Sequence, residues 1–321
     1  VRCLELLPFG ADDQRIGATQ GGFGGAHQHQ ARCCITGEEA LRFGVINTQA
    51  FEQRLIGGYT LYTDSTHLKA SANKRKAVNK EVTASTSAYI AELDKAIAAD
   101  REAQGKKLLK EAKATAEVKN QKVSTTDPES GFMTREGKPQ GFFYLDHRTV
   151  DGRHGIITDT FATAGNVHDS QPYIARLDRQ LERFKFTPIA VGLDAGYFTA
   201  PLCHLIRERQ IAPVIAYRRP NGTANPIKKK HFNYDSNTDT YRCPQGEILS
   251  YSTTDRNGYR HYNSDPKKCK DCPLRLDCTK SQQHKKTLTR HVWEEDKEHV
   301  SGLRLTPWGK KIYNRRKETV E

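Results

Sequence analysis

Long apolar runs are missing from this chain. Nothing in its 321 residues approaches the roughly 20 consecutive apolar residues that a membrane helix needs. Apolar residues are scarce overall, at 36%, and mean hydropathy is −0.76, so a core requires that apolar strands be concentrated. They are, mainly between residues 141 and 217. Acidic residues are also in short supply. The 38 Asp and Glu against 51 Lys and Arg leave a net charge of +13 and an isoelectric point near 9.3. That imbalance favours a polyanionic partner, most simply nucleic acid, although a basic surface is also a plain solubility device. No secretory signal is visible. Four of the eight cysteines fall at metal-like spacing, which argues for a reducing cytoplasm.

The length suits one large or two ordinary domains. Residues 1–50 show no sustained period and are expected to be weakly ordered or degenerate. His27, His29 and the Cys33-Cys34 pair there can be read as metal ligands or simply as odd local composition. Gly57-Gly58 then supplies a turn, and Tyr59 to Thr63 is a strand-forming run that ends at Asp64. A second strand, Ile189 to Leu193, delivers Asp194 in the same manner. Each acid alone reads equally well as a turn residue or helix cap. As a pair on rigid backbone they suggest a shared carboxylate site.

After Asp64 the chain turns basic, with His67, Lys69, Lys74, Arg75, Lys76 and Lys80. These residues fit a solvated face or a phosphate backbone. Residues 85–123 read as helix, with an interruption at Gly105 and a polar arm from Lys106 to Lys122. From Gly141 the pattern changes to strands: 142–150, then 155–163 across an Asp151-Gly152 turn. A helix starts after Asn166, capped by Asp169 or Ser170, and another covers about 199–210. Ala212 to Ala216 is a further strand. A hairpin beside βα units predicts an α/β fold with a mixed sheet and flanking helices.

Cys243, Cys269, Cys272 and Cys278 are spaced C-x25-C-x2-C-x5-C. Two thiolates two residues apart can grip one ion from a tight turn, so structural Zn²⁺ is the expectation, with an iron–sulfur cluster and plain reduced cysteines as alternatives. The C-terminal segment, through Tyr313, Arg316, Glu318 and Glu321, reads as a basic helix in which the sequence stops.

Taken together, Tyr62-Thr63-Asp64-Ser65-Thr66-His67-Leu68-Lys69-Ala70 with Asn73-Lys74, Asn166-Val167-His168-Asp169-Ser170, Leu193-Asp194-Ala195-Gly196-Tyr197, the Cys-x2-Cys-Pro segment and Tyr313…Arg316…Glu321 resemble the bacterial insertion-sequence transposases of the DDE class, in the branch with a cysteine-bearing insertion. The resemblance covers residues 51–321, with a helical insertion at about 71–126 and a Cys-rich insertion at about 218–300 before the last helix. Both ends of the family pattern look truncated. The resemblance implies a ribonuclease-H-like fold and cytoplasmic, nucleoid-associated DNA chemistry, with a homodimer at full length. It further implies Mg²⁺ or Mn²⁺ in a two-ion site held by Asp64, Asp194 and Glu321, with Glu318 as rival third acid. His67, Lys69, Lys74, Arg75, Tyr313 and Arg316 are the implied DNA contacts. His168 and Asp169 either support the metal site or cap a helix. A non-catalytic remnant that only binds DNA is the competing reading, and a structural or interaction protein the third.

Overall fold

The computed structural model describes residues 37–83, 89–110, 118–134, 140–217 and 226–320. Its helices are α1 (Gly37–Glu52), α2 (Ile90–Ala103), α3 (Tyr173–Phe184), α4 (Ala200–Glu208), α5 (Pro266–Lys270), α6 (Arg275–Cys278), α7 (Glu294–Leu303) and α8 (Pro307–Val320). The strands of the first half are β1 (Thr60–Lys69), β2 (Ala77–Thr83), β3 (Val118–Ser124), β4 (Gly131–Met133), β5 (Gly141–Asp151), β6 (Ile157–Ala164), β7 (Ala190–Leu193) and β8 (Ala212–Ile215). A later group comprises β9 (Asn233–Asp235), β10 (Thr240–Arg242), β11 (Ile248–Thr254), β12 (Tyr259–Ser264) and β13 (Thr287–His291).

The main sheet is mixed. Along it run β5, β1, β7 and β8; β4 and β6 both pair with the outer side of β5, at different stretches of it. β1 is antiparallel to β5 and parallel to β7, and β7 is parallel to β8. The parallel strands β7 and β8 are nearly continuous apolar runs because helices cover both faces. On one face α3 and α4 bury Tyr173, Leu177, Leu202 and Ile206 against Leu61, Val191 and Leu193. On the other, Ile312 of α8 packs on Tyr62, Ala190 and Val214.

Several expectations change. Residues 37–50, expected to be weakly ordered, belong to α1. That helix docks through buried Asn47 and Ala50, a Phe51–Phe184 ring contact and an Arg183 hydrogen bond to the Gly44 carbonyl. Packing, not periodicity, holds it. The other residues of that segment, with His27, His29, Cys33 and Cys34, lie outside the described residues. The insertion after β1 is not all helix. α2 ends at Ala103, and β2 and β3 form a separate two-stranded antiparallel ribbon. α3 begins after Pro172 with no side-chain cap, so neither Asp169 nor Ser170 caps it.

Residues 233–291 build a second, antiparallel sheet in the order β13, β12, β11, β10, β9. Its core is Phe232, Tyr241, Leu249, Tyr262 and Leu288. Asp239, in a left-handed conformation at the β9–β10 turn, accepts hydrogen bonds from the hydroxyls of Tyr234 and Tyr262. α2 is clamped to this sheet. Asp100 accepts from Thr254 and pairs with Arg260, while Arg101 donates to Thr253 Oγ1 and the Thr254 carbonyl.

Candidate active site

The parallel ladder between β1 and β7 ends with Thr63 beside Leu193. Asp64 and Asp194 are the next residues of the two neighbouring strands, so they leave the ladder at the same edge of the sheet. Close packing sets this register. Tyr62 lies opposite Gly192, and a Cβ on that glycine would come 2.5 Å from the Tyr62 ring. Only glycine accommodates the ring there. β1 itself runs past Asp64 to Lys69, paired with β5, so Asp64 sits within a strand and not at its end.

Asp194 is also a cap. Its Oδ1 accepts the Gly196 amide at 2.9 Å, starting the single 3₁₀ turn Ala195–Tyr197. The cap reading of this residue therefore holds. Burial raises its carboxyl above the usual range. The Gly196 amide and the Arg316 charge oppose that rise, and the Asp169 charge adds to it. Asp169 is close: a Cβ on Gly196 would lie 3.1 Å from Asp194 Oδ1 and 3.3 Å from Asp169 Oδ2. Tyr197, wholly buried, has its hydroxyl ionisation pushed up by burial and, further, by both aspartates.

Asp64 Oδ1 accepts the Ser65 amide at 2.8 Å, and its Oδ2 lies 2.9 Å from a guanidinium nitrogen of Arg316. The Arg316 side chain is 2% exposed, delivered from α8 across the sheet face. It meets the chain's own carboxylate. Arg148 is a residue that the sequence reading missed. It stands opposite Asp64 on β5, exposed, with Asp146 as ion-pair partner. The acid–histidine–arginine run within a strand was the available signal, but only the register brings it to the site.

The remaining candidates are spread out. His67 is half-buried with its ring edge-on to Phe143; Lys69, Lys74 and Arg75 are exposed beyond it. Tyr313 is half-buried on α8, packed beside Tyr62 and Ile312. Glu318 is exposed, and its charge bears on Tyr62. Glu321 lies outside the described residues.

Cys243, Cys269, Cys272 and Cys278 line one pocket of the second sheet, beside Phe232 and Leu249. Cys269 Sγ donates to Ser264 Oγ at 3.2 Å. Burial raises the Cys278 thiol and its three cysteine neighbours add to the rise, while Lys286 opposes it. Among the described residues no three His, Cys, Asp or Glu side chains are gathered closely enough to hold a metal ion. Nor does any helix among them have the length and apolarity to cross a membrane.

Fold and site thus define a mixed α/β protein with two aspartates at one sheet edge. Residues 242–321, about a quarter of the chain, match the family described as "Transposase DDE domain", which supports a DDE transposase and an enzyme of the nuclease or transferase kind. The matched stretch contains the four cysteines, Arg316, Glu318 and Glu321; Asp64 and Asp194 precede it. Curated proteins and solved structures yield no match to this chain.

Proposed function

We propose that the chain is the catalytic part of an insertion-sequence DNA transposase. It would cut a phosphodiester bond at the element end and transfer the strand to target DNA. The observation that carries this reading is the juxtaposition of Asp64 and Asp194 as the first residues beyond the last paired positions of two adjacent parallel strands. The strand senses and order β6, β5, β1, β7, β8 support a ribonuclease-H-like sheet.

The donor set consists of carboxylate oxygens, which suit Mg²⁺ or Mn²⁺. Asp194 carries a carboxylate raised by burial and by the neighbouring Asp169, an excess of negative charge that a cation relieves. Asp64, Asp194 and Glu321 would hold the ions, with Glu318 the rival third acid. Two bound divalent ions supply an activated water or 3′-hydroxyl and stabilise the leaving oxygen. The chain's own contribution is orientation. The Ser65 amide and Arg316 fix the two oxygens of Asp64, and the Gly196 amide fixes Asp194. Arg148, Lys69, Lys74 and Arg75, all exposed, would meet phosphates. The four cysteines share one pocket but stand too far apart to hold an ion as they are, so the Zn²⁺ expected from their spacing would need them drawn together, and the metal content of the purified protein tests it.

The Asp64–Arg316 ion pair favours a second reading, a protein that binds DNA without cutting it. Nicking of supercoiled plasmid with Mn²⁺ separates the two. Nicking by the wild type that is lost in Asp64→Asn and in Asp194→Asn supports the transposase. Salt-sensitive binding without nicking leaves the remnant, and no binding removes both.

A further inference from the structure

We infer that the β2–β3 ribbon is a DNA-groove reader, a surface that places the duplex against the edge carrying Asp64. The inference rests on the DNA-processing reading above. A two-stranded antiparallel ribbon fits the major groove, about 12 Å wide. Among the described residues β2 and β3 pair with each other and with no other strand. One face presents Asn79 opposite Lys122 and Glu81 opposite Asn120; the other presents Val78 opposite Val123 and Lys80 opposite Gln121. Asn79, Lys80, Glu81, Asn120 and Lys122 are all exposed. The ribbon sequences hold three lysines and one acid, and Lys74-Arg75-Lys76 leads into them. An exposed sheet with positive charge and interleaved asparagines fits a polyanion with readable base edges.

The ribbon is tied at its root, and along its length Gln121 accepts from Asn166 and Lys122 lies over the Phe132 ring. At its root, Thr125 donates from its amide and hydroxyl to the Lys76 carbonyl, and Ser124 Oγ accepts the amides of Thr126 and Asp127. Tyr144 on β5 donates to Asp127 at 2.6 Å, tying that root to the main sheet. Beyond the far end lies α2, clamped to the second sheet through Asp100 and Arg101. From Asp64, β1 runs on five residues, about 17 Å, to Lys69 just before the root, within one duplex turn of about 34 Å.

The test measures affinity for a random-sequence duplex as a function of salt, with unfolding checked for every variant. Lys80→Ala/Lys122→Ala is expected to lower the slope of log K against log salt by about 1.8, about 0.9 for each lost phosphate contact. Lys80→Glu alone, which leaves the Lys122 contact with Phe132 intact, lowers it by at least one such step. Asn79→Ala/Asn120→Ala keeps the slope and flattens the sequence preference found by selection from a random pool. A wild type that binds no duplex removes the transposase reading and this one with it. A wild type that binds, with lysine variants that keep the full slope, overturns the ribbon's role alone.

Discussion

Asp64 and Arg316, 252 positions apart in the chain, form an ion pair at 2.9 Å in which the arginine is almost completely buried. Such a pair is costly to break from one side, because the remaining charge stays desolvated; the loss is about 3–5 kcal/mol when both partners are buried. Asp64 keeps 26% exposure and Asp194 lies near the same guanidinium, so Asp64→Ala is expected to cost about 2–4 kcal/mol in urea unfolding. Asp64→Asn, which still accepts a hydrogen bond from Arg316, loses less. Equal unfolding midpoints for Asp64→Ala and wild type would show that the pair is not formed in solution.

At Asp194 the expected sign is opposite. Its carboxyl is raised by burial, so the folded state holds the proton more tightly than the unfolded chain does. Stability from this group is therefore present at low pH and lost as pH rises through the raised value. At neutral pH the ionised carboxylate is a net burden, further repelled by Asp169. Asp194→Asn should therefore raise the urea midpoint at pH 7.5 in metal-free buffer while abolishing any nicking. A lower midpoint would mean that the Arg316 charge outweighs burial. Functional groups held at a cost to stability commonly behave in this way.

The strands that build this site were legible in the sequence because they are short, apolar and bounded by turn residues. β5, β7, β8 and α4 fall within a few residues of their expected spans. What was hidden is non-local. Arg316 reads as a surface cation on a basic helix, and only the packing of Ile312 on Tyr62 turns it inward to Asp64. The ribbon reads as helix in the sequence because Lys and Glu carry helix propensity, while its valines, such as the opposed Val78 and Val123, are too few to set a period. In the sequence the second sheet shows only as a cysteine insertion. Asn257-Gly258 between β11 and β12, with Gly258 at φ +78°, was the hairpin signal that could have found it.

Acid should destabilise the protein in a defined window. His147 is buried with its Nε2 beside Thr163 Oγ1 at 2.9 Å, and burial with the Arg176 charge holds it down to about 3. His291, also buried, is held down to about 4, chiefly by burial. Both stay neutral when folded and take a proton on unfolding below the ordinary 6.5. Stability is full above that value and falls as pH drops towards 4, by up to about 1.4 kcal/mol per pH unit for each histidine. Urea midpoints between pH 7.5 and 5 check this. His147→Asn should flatten the profile by one histidine's share, and a wild-type profile that is level to pH 5 would refute the assignment.

The corner between α7 and α8 controls where Arg316 sits. Gly309, buried in the first turn of α8, leaves no room for a side chain: a Cβ there would overlap the Leu303 carbonyl oxygen and crowd Arg304 Cα at 3.0 Å. Those are backbone atoms, which cannot swing aside, so Gly309→Ala must shift α8 as a unit. Overpacking of this kind costs about 1–3 kcal/mol. Gly309 is seven residues, about two turns, before Arg316 on α8, so a displaced helix carries the guanidinium away from Asp64. Gly309→Ala should therefore lower stability and also remove most of the further loss caused by Asp64→Ala. In a double-mutant cycle the two changes are expected to be less than additive by about 1 kcal/mol or more. Strict additivity would mean that α8 absorbs the methyl group locally and that this corner does not position the arginine.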